Sequence, residues 1–344
     1  MTGQPRGICV IFVALFLRFA VLCSAIGPFT NLVAFGDSYT DNRNLGDRIA
    51  WPDYVALYSG NTVSAYDFAR AGGTCSNKLT PRIWPSVLES QIPEYGRNVT
   101  IKAGDPNNST FIITPNGTYA PLLAQDTLYS IWIGTNDVGA DALLTDPLDD
   151  VSIVNTTACV FDWVKSLYDQ GARNFLIQNM IPLQLAPMYS ANGYTTKYWN
   201  YPHNQTEWSI FMAELVRSGN ALTAFWIKYA APSLFPGATF GLFDSYRLFK
   251  DIYENPAPYL VGPPYNVDDA IEACKFPYGD DVLVCIKQPA AVHDSYLWRD
   301  EVHPSSQVDR VLARHILSAL NGQAPFLSWY GAAAADMDIV NQGR

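Results

Sequence analysis

Short apolar runs alternate with longer amphipathic segments along most of the chain. Five apolar runs predict β-strands, at residues 31–35, 62–68, 127–133, 173–180 and 238–243. Hydrophobic residues at helical spacing predict helices over 154–172, 209–230 and 305–320. The last of these opens with Ser305, a residue type that commonly caps a helix. Strands that alternate with helices predict a mostly parallel sheet covered on both faces, which is an α/β fold.

A serine directly follows the first predicted strand. The sequence leaves the apolar run at Gly36-Asp37-Ser38, where the chain is expected to turn. Open α/β sheets bind ligands beyond the carboxyl ends of their strands, so Ser38 is a candidate nucleophile. The alternative is that Ser38 only caps the helix that follows.

Further candidate groups lie after later runs. Gly72 and Gly73 follow the second predicted strand, and Asn136 follows the third, where backbone and amide N–H groups could stabilise an oxyanion. Near the C-terminus, Asp300 precedes His303 by three residues, a spacing that allows the carboxylate to orient the imidazole. Such an imidazole could take the proton of a serine hydroxyl.

Three other histidines are weaker candidates for the base. His203 lies beside a glycosylation sequon, His293 lies close to the last motif, and His315 lies within a predicted helix. His303 is therefore the preferred base.

In this order, the stretches "GDSYTD", "AGG", "GTND" and "DEVHP" resemble the four sequence blocks of the SGNH, or GDSL, hydrolases. The resemblance runs from Gly36 to His303 and implies a three-layer α/β/α sandwich with a flavodoxin-like central sheet. It implies Ser38 as nucleophile, Asp300 and His303 as triad acid and base, and oxyanion donors at Ser38, Gly72 and Asn136. A slip of one residue would make Gly73 the donor in place of Gly72.

The first block departs from neighbouring patterns at two positions. Tyr39 stands where the family often has leucine, and we expect this variation to lie outside the chemistry. Thr40 stands where the Gly-x-Ser-x-Gly elbow of α/β-hydrolases has its second glycine, which disfavours that fold.

Two further stretches, "GGTCSNKL" and "MIPLQLAPMY", resemble fungal carbohydrate acetylesterases of carbohydrate esterase family 16. This resemblance implies an esterase that removes acetyl groups from plant cell-wall carbohydrates such as xylo-oligosaccharides. The alternatives are a lipase or other acyl-ester hydrolase and, more distantly, a non-catalytic glycan-binding protein. Segment 188–208 either lines a substrate site or packs over the domain with its aromatic residues Tyr194, Tyr198, Trp199 and Tyr201.

The N-terminus predicts export. Residues 1–25 read as a signal peptide, with one arginine before an apolar run and small residues before a cleavage site. Arg18 interrupts the apolar run, and the alternative is an anchor that is not cleaved. Residues 26–344 are then a single domain with a loose C-terminal tail. A secreted, extracellular chain would be glycosylated at its sequons, which are Asn98, Asn107, Asn108, Asn116, Asn155 and Asn204.

The cysteines are expected to form disulfides in such an exported chain. Cys9 and Cys23 leave with the signal peptide, and four cysteines remain. Cys274 and Cys285 bracket a short segment, which favours a local bridge, and Cys75–Cys159 follows by elimination.

The net charge and the absence of two metal-binding motifs limit the partners and cofactors that we expect. The net charge of −10 over 344 residues argues against nucleic acid and anionic membranes. The sequence has no CxxC pair and no HExxH motif, so we expect no zinc site and no cofactor. The expected partner is an acetylated oligosaccharide or another short-chain ester, and the chain is expected to be a monomer.

Overall fold

The computed structural model describes residues 26–43, 49–101, 110–114, 116–276, 282–321 and 325–332. The predicted signal peptide, the sequons at Asn107 and Asn108, and the tail from residue 333 lie outside the described residues. The single-domain boundaries therefore stay a prediction.

The described residues contain thirteen strands and eight α-helices. The strands are β1 (Asn31–Gly36), β2 (Ser64–Asp67), β3 (Val99–Ile101), β4 (Thr110–Ile113), β5 (Tyr119–Leu122), β6 (Thr127–Trp132), β7 (Asn174–Gln178), β8 (Thr239–Phe243), β9 (Asn266–Ala270), β10 (Glu272–Lys275), β11 (Val284–Lys287), β12 (Tyr296–Trp298) and β13 (Leu327–Gly331). The helices are α1 (Trp51–Tyr58), α2 (Ile92–Asn98), α3 (Thr135–Val138), α4 (Ile153–Tyr168), α5 (Gln205–Phe225), α6 (Ala231–Leu234), α7 (Ser245–Glu254) and α8 (Ser306–Leu320).

A six-stranded sheet forms the centre, in the order β13-β8-β7-β6-β1-β2. All neighbouring pairs are parallel except β13 with β8, which is antiparallel. The five parallel strands, counted along the chain, lie in the order 2-1-3-4-5, which is the flavodoxin-like order. The predicted fold is confirmed. The strand order reverses between β1 and β6, and in open α/β sheets the ligand crevice lies at this point, at the carboxyl ends of the strands.

Alternate side chains of the central strands belong to two separate hydrophobic cores, one on each face of the sheet. In β1, Leu32 and Ala34 pack on one face with α1, α5, α7 and α8, while Val33 and Phe35 pack on the other with α4. Because side chains alternate across a strand, an apolar run that is buried throughout indicates helices on both faces. The continuous apolar runs of the sequence have this cause.

Two elements differ from the prediction, and one predicted helix cap is confirmed. Helix α5 begins four residues earlier than predicted because the Asn204 side chain accepts a hydrogen bond from the Glu207 N–H at 3.2 Å. Strand β13 lies within the part of the chain predicted as a loose tail, and it closes the sheet edge. The prediction that Ser305 caps the last helix is confirmed, since its Oγ accepts from the Val308 N–H at 3.3 Å.

Four sequon asparagines lie within the described residues. Asn116, Asn155 and Asn204 are exposed, whereas Asn98 is half-buried. Asn155 also holds the start of α4, because its Oδ1 accepts from the Ser152 N–H at 2.9 Å. Their glycosylation stays a prediction. None of the helices in the described residues has both the length and the apolar character that a membrane span needs.

The structure contains both predicted disulfides. Cys75–Cys159 joins the segment after β2 to α4 and spans 84 residues of sequence. Cys274–Cys285 spans 11 residues and joins paired positions of the β10–β11 hairpin.

The two bridges should differ in their effect on stability. A bridge that closes a longer loop restricts the unfolded chain more. Replacing Cys75 and Cys159 with alanine should lower the free energy of unfolding by about 4–5 kcal/mol, and replacing Cys274 and Cys285 by about 3 kcal/mol. Urea unfolding of both double variants and the parent checks this order. Equal losses, or a larger loss for the hairpin bridge, would contradict it.

Candidate active site

The end of β1 is fixed by a side chain from another element. Gly36 lies so close to β6 that a Cβ there would be 2.4 Å from the Trp132 carbonyl oxygen, so only glycine fits. The buried Gln91 amide accepts from the Gly36 N–H at 3.1 Å and donates to the Gly36 carbonyl at 2.7 Å. The turn that carries Ser38 therefore starts from a backbone held on both sides.

Ser38, His303 and Asp300 form a hydrogen-bonded chain. The Ser38 Oγ lies 2.7 Å from the His303 Nε2, and the His303 Nδ1 lies 2.7 Å from the Asp300 Oδ1. Ser38 lies two residues beyond β1, while the other two residues lie between β12 and α8. The structure thus brings together three residues separated by up to 265 positions in the sequence.

The Asp300 carboxylate is almost fully buried, with 1% of its side chain exposed. Its Oδ1 also accepts from the backbone N–H groups of Val302 at 3.1 Å and His303 at 3.0 Å. Its Oδ2 accepts from the Tyr198 hydroxyl at 3.0 Å and lies 4.0 Å from the Lys197 Nζ. Both carboxylate oxygens therefore have partners.

These partners decide the charge of Asp300. Burial by itself raises the pKa of the Asp300 carboxyl, but the charge and hydrogen bond of His303, the Lys197 ammonium and the Val302 N–H together hold it well below its usual value. Asp300 is therefore ionised at neutral pH. A charged Asp300 accepts from the His303 Nδ1–H and leaves Nε2 free to accept from Ser38.

Tyr39 supports the same turn. Its hydroxyl donates to the Val302 carbonyl at 2.6 Å, and its ring lies edge-on to the His303 ring at 5.8 Å. Burial raises the pKa of Tyr39 well above its usual value, so the hydroxyl keeps its proton and donates. The expectation that the variation at Tyr39 lies outside the chemistry stays a prediction, and the structure adds that this side chain holds the backbone next to His303.

On the opposite side of Ser38, two glycines differ in what their N–H groups do. The Gly73 N–H donates to the Arg70 carbonyl at 2.9 Å. The N–H groups of Gly72 and Ser38 have no acceptor among the described residues. Asn136 lies beside them, with its Nδ2 donating to the Gly73 carbonyl at 2.9 Å.

Arg82 holds the other end of the Asn136 amide. Its Nη1 donates to the Asn136 Oδ1 at 3.4 Å, and its Nη2 donates to the Ala140 carbonyl. Because Oδ1 accepts from a cation, the amide is oriented with its Nδ2 toward the Gly72–Gly73 backbone. Sequence reasoning missed Arg82, which is 54 residues away from Asn136, and no local motif marks it.

Two buried carboxyl groups next to these residues act as hydrogen-bond acceptors. Asp37 accepts from the Tyr39 N–H at 2.9 Å, and Asp137 accepts from the Cys75 N–H at 3.1 Å. Burial raises the pKa of Asp37 to about 7 and that of Asp137 to about 6. Asp137 thereby ties the segment that carries Gly72 to the turn that carries Asn136.

The remaining histidines lie away from Ser38. The His293 Nε2 pairs with the Gln288 carbonyl at 2.9 Å, and His203 stacks on Trp208. His315 lies within α8 and packs against Phe326. The geometry therefore favours His303 as the base.

The aromatic residues of segment 188–208 have different surroundings. Tyr198 bonds to Asp300, as described above. Tyr194 lies under the Lys275 ammonium, and Trp199 packs on Trp208 and Tyr201. Of the four aromatic residues named from the sequence, only Tyr198 contacts the Ser38–His303–Asp300 chain. The described residues contain no group of three or more His, Cys, Asp or Glu side chains able to hold a metal ion.

Residues 32–316 match the profile of the GDSL-like Lipase/Acylhydrolase family. The chain belongs to this family. It is a carboxylic ester hydrolase of the GDSL type, and the four motifs that carry the resemblance lie at the crevice just described.

The chain is similar to two curated fungal proteins named acetylesterase. It is 28% identical to the protein of Hypocrea jecorina over 94% of this chain and 99% of that one. It is 26% identical to the protein of Thermothelomyces thermophilus over 85% of this chain and 88% of that one. Among solved structures it is similar to Axe2, an acetylxylan esterase from Geobacillus stearothermophilus, with 13% identity, a TM-score of 0.37, and coverage of 87% of this chain and 97% of that chain.

Replacing Tyr198 with phenylalanine should shift the pH dependence of ester hydrolysis. The change removes one donor from the Asp300 carboxylate, which leaves more negative charge to stabilise the imidazolium. The acidic limb of the kcat/KM profile should therefore move to higher pH, by a few tenths of a unit. Profiles of the parent and Tyr198→Phe on one short-chain ester check this.

Tyr201→Phe serves as the matched control, because Tyr201 lies in the same segment, packs on Trp199 and is 63% exposed. A loss of activity in Tyr198→Phe without a shift of the limb would contradict a role in positioning Asp300.

Proposed function

We propose that the chain is a secreted serine esterase that removes acetyl groups from plant cell-wall carbohydrates such as xylo-oligosaccharides. The observation that carries the chemistry is the pair of 2.7 Å contacts that link Ser38 to His303 and His303 to Asp300. A serine hydroxyl is a weak nucleophile until a base takes its proton, and a carboxylate holds that base in the correct tautomer.

The first half of the reaction transfers the acyl group to Ser38. The Oγ attacks the ester carbonyl carbon while the His303 Nε2 takes the hydroxyl proton, and the carbonyl oxygen becomes an oxyanion. When the tetrahedral intermediate collapses, the bond to the alcohol oxygen breaks and His303 returns its proton to that oxygen. Asp300 stays ionised throughout and stabilises the imidazolium.

The oxyanion is stabilised by three donors around Ser38. We assign them to the N–H groups of Ser38 and Gly72 and to the Asn136 side-chain amide. Gly72 is favoured over Gly73 because the Gly73 N–H already donates to Arg70. Arg82 supports the arrangement by orienting the Asn136 amide.

The second half of the reaction releases the acid. Water attacks the carbonyl carbon of the acyl-serine while His303 takes one of its protons. The second tetrahedral intermediate then collapses, the bond to the Ser38 Oγ breaks, and that oxygen regains the proton from His303.

The acetyl group is supported by the two fungal relatives named acetylesterase, which match nearly the whole chain. The carbohydrate part follows from the resemblance of "GGTCSNKL" and "MIPLQLAPMY" to carbohydrate acetylesterases. Secretion follows from the N-terminal apolar run and the sequons, and the two disulfides are typical of an oxidising compartment.

Ser38→Ala tests the proposal. The variant should keep the fold and lose about 10⁶ in kcat, because the hydroxyl that forms the acyl-enzyme is absent. Hydrolysis of acetylated xylo-oligosaccharides and of acetate and palmitate p-nitrophenyl esters is the measurement, with His293→Ala as the matched control that keeps activity. Near-normal turnover by Ser38→Ala would contradict the serine mechanism. A preference for the palmitate ester would favour a lipase.

Asn136→Ala tests the oxyanion assignment. The loss of one donor that acts only on the transition state should lower kcat by about 10²–10³ and leave KM nearly unchanged. Steady-state kinetics on one short-chain acetate ester measure both constants. A change in KM alone would make Asn136 a residue that binds substrate.

A further inference from the structure

One tryptophan differs from the others in its exposure. The chain has nine tryptophans, all within the described residues, and Trp84 alone is exposed, at 51%. Five of the others are buried and three are half-buried. A large ring that is half in water and half in contact with the protein has one surface available to a ligand.

The covered side of Trp84 lies on the backbone of Gly72. A Cβ placed on Gly72 would lie 2.5 Å from the Trp84 Cγ and 2.6 Å from its Cδ1, so the indole rests directly on the glycine. Gly72 also has a φ of +74°, which favours glycine for a second reason. Any side chain at this position would push the indole away.

The contact places Trp84 beside the proposed oxyanion donors. The Arg70 N–H donates to the Gly36 carbonyl at 3.2 Å, which attaches the Gly72 segment to the turn of Ser38. On the other side, Asn136 donates to the Gly73 carbonyl. The indole is therefore one wall of the space beside the proposed oxyanion donors.

The backbone that carries the indole is also held in position before any ligand arrives. The Trp84 carbonyl accepts from the Asn77 Nδ2 at 3.1 Å, and the carbonyl of the next residue, Pro85, accepts from the Gln91 Nε2 at 3.3 Å. Gln91 is the residue that fixes Gly36, so the wall and the nucleophile turn share one support. A group already fixed in place loses little conformational freedom when it binds.

We propose that Trp84 is the platform on which the sugar ring of the substrate stacks, so that it directs the enzyme toward acetylated carbohydrates. A sugar ring has a face of C–H groups that matches the indole face, while its hydroxyls can reach the indole N–H and water. A small acyclic acetate ester has no such face and gains little from the contact. This inference rests on the proposed function, which it makes specific to the alcohol part of the ester.

Trp84→Ala should lower kcat/KM on acetylated xylo-oligosaccharides by about threefold to tenfold, the factor typical of one aromatic contact. Most of the change should be a rise in KM, because stacking stabilises the bound substrate and the transition state alike. On glycerol triacetate, an acyclic acetate ester, the same variant should be nearly unchanged. Trp84→Phe keeps a ring and should recover part of the loss.

Ile83→Ala is the matched control. Ile83 precedes Trp84 on the same segment and is 91% exposed, but it offers no ring. Equal losses in Ile83→Ala and Trp84→Ala on the sugar ester would overturn stacking, since any apolar truncation of the segment would then suffice.

Three further results separate this inference from the proposed function. If Trp84→Ala lowers kcat equally on both esters, the indole only supports Gly72 and the inference is wrong. If wild-type hydrolyses glycerol triacetate but not the sugar ester, the proposed carbohydrate substrate is wrong as well. If wild-type hydrolyses both and Trp84→Ala keeps the wild-type ratio of kcat/KM values, only the inference fails.

Discussion

The architecture of the site depends on compensation of one buried charge. An ionised carboxylate that is almost fully removed from water is very unfavourable unless donors and cations surround it. Asp300 is such a group, and its two oxygens recruit different parts of the chain. Oδ1 holds its own turn through the N–H groups of Val302 and His303, while Oδ2 draws in Tyr198 and Lys197 from segment 188–208. The orientation of His303 follows from these contacts.

The opposite side of the crevice depends on a second buried carboxyl group with the reverse behaviour. Burial raises the pKa of Asp137 to about 6, whereas the pKa of Asp300 is lowered. The difference lies in their partners, because Asp300 faces His303 and Lys197 at close range, while Asp137 mainly accepts backbone and hydroxyl hydrogen bonds. In the proposed mechanism Asp300 therefore supplies charge to the reaction, whereas Asp137 connects two segments through hydrogen bonds.

Sequence reasoning succeeded where the information is local. The apolar runs predicted β1, β6, β7 and β8 because these strands are buried on both faces, and the end of a parallel strand is a single predictable place for Ser38 and Asn136. The Asp300–His303 spacing was readable for the same reason, since one turn holds both residues.

The residues that support the site could not be predicted from local sequence patterns. Gln91 reaches Gly36 across 55 residues, and Tyr198 reaches Asp300 across 102. Each is an ordinary residue in its own segment, and its role appears only when the fold brings the two segments together. Edge strand β13 was missed for a related reason, because its pairing with β8 alone identifies it as part of the sheet.

Each disulfide stabilises one of the two sides of the site. Cys75–Cys159 anchors the segment that carries Gly72, Arg82 and Trp84, on the proposed oxyanion side. Cys274–Cys285 stabilises the hairpin of β10 and β11, and this hairpin supports segment 188–208. Thr196 forms a bridge to Lys275 of β10 two residues before Tyr198.

Arg82 and Trp84 thus lie on the connecting segment that the Cys75–Cys159 bridge anchors, and Tyr198 lies on the segment that pairs with the hairpin of the Cys274–Cys285 bridge. The reacting groups instead lie at the strand ends and in the turn before α8. This separation allows the walls of the crevice to change while the hydrogen bonds that position the nucleophile stay as they are. In the proposed function, substrate preference and catalytic geometry therefore depend on different parts of the chain, which meet at Gly72 on one side and at Asp300 on the other.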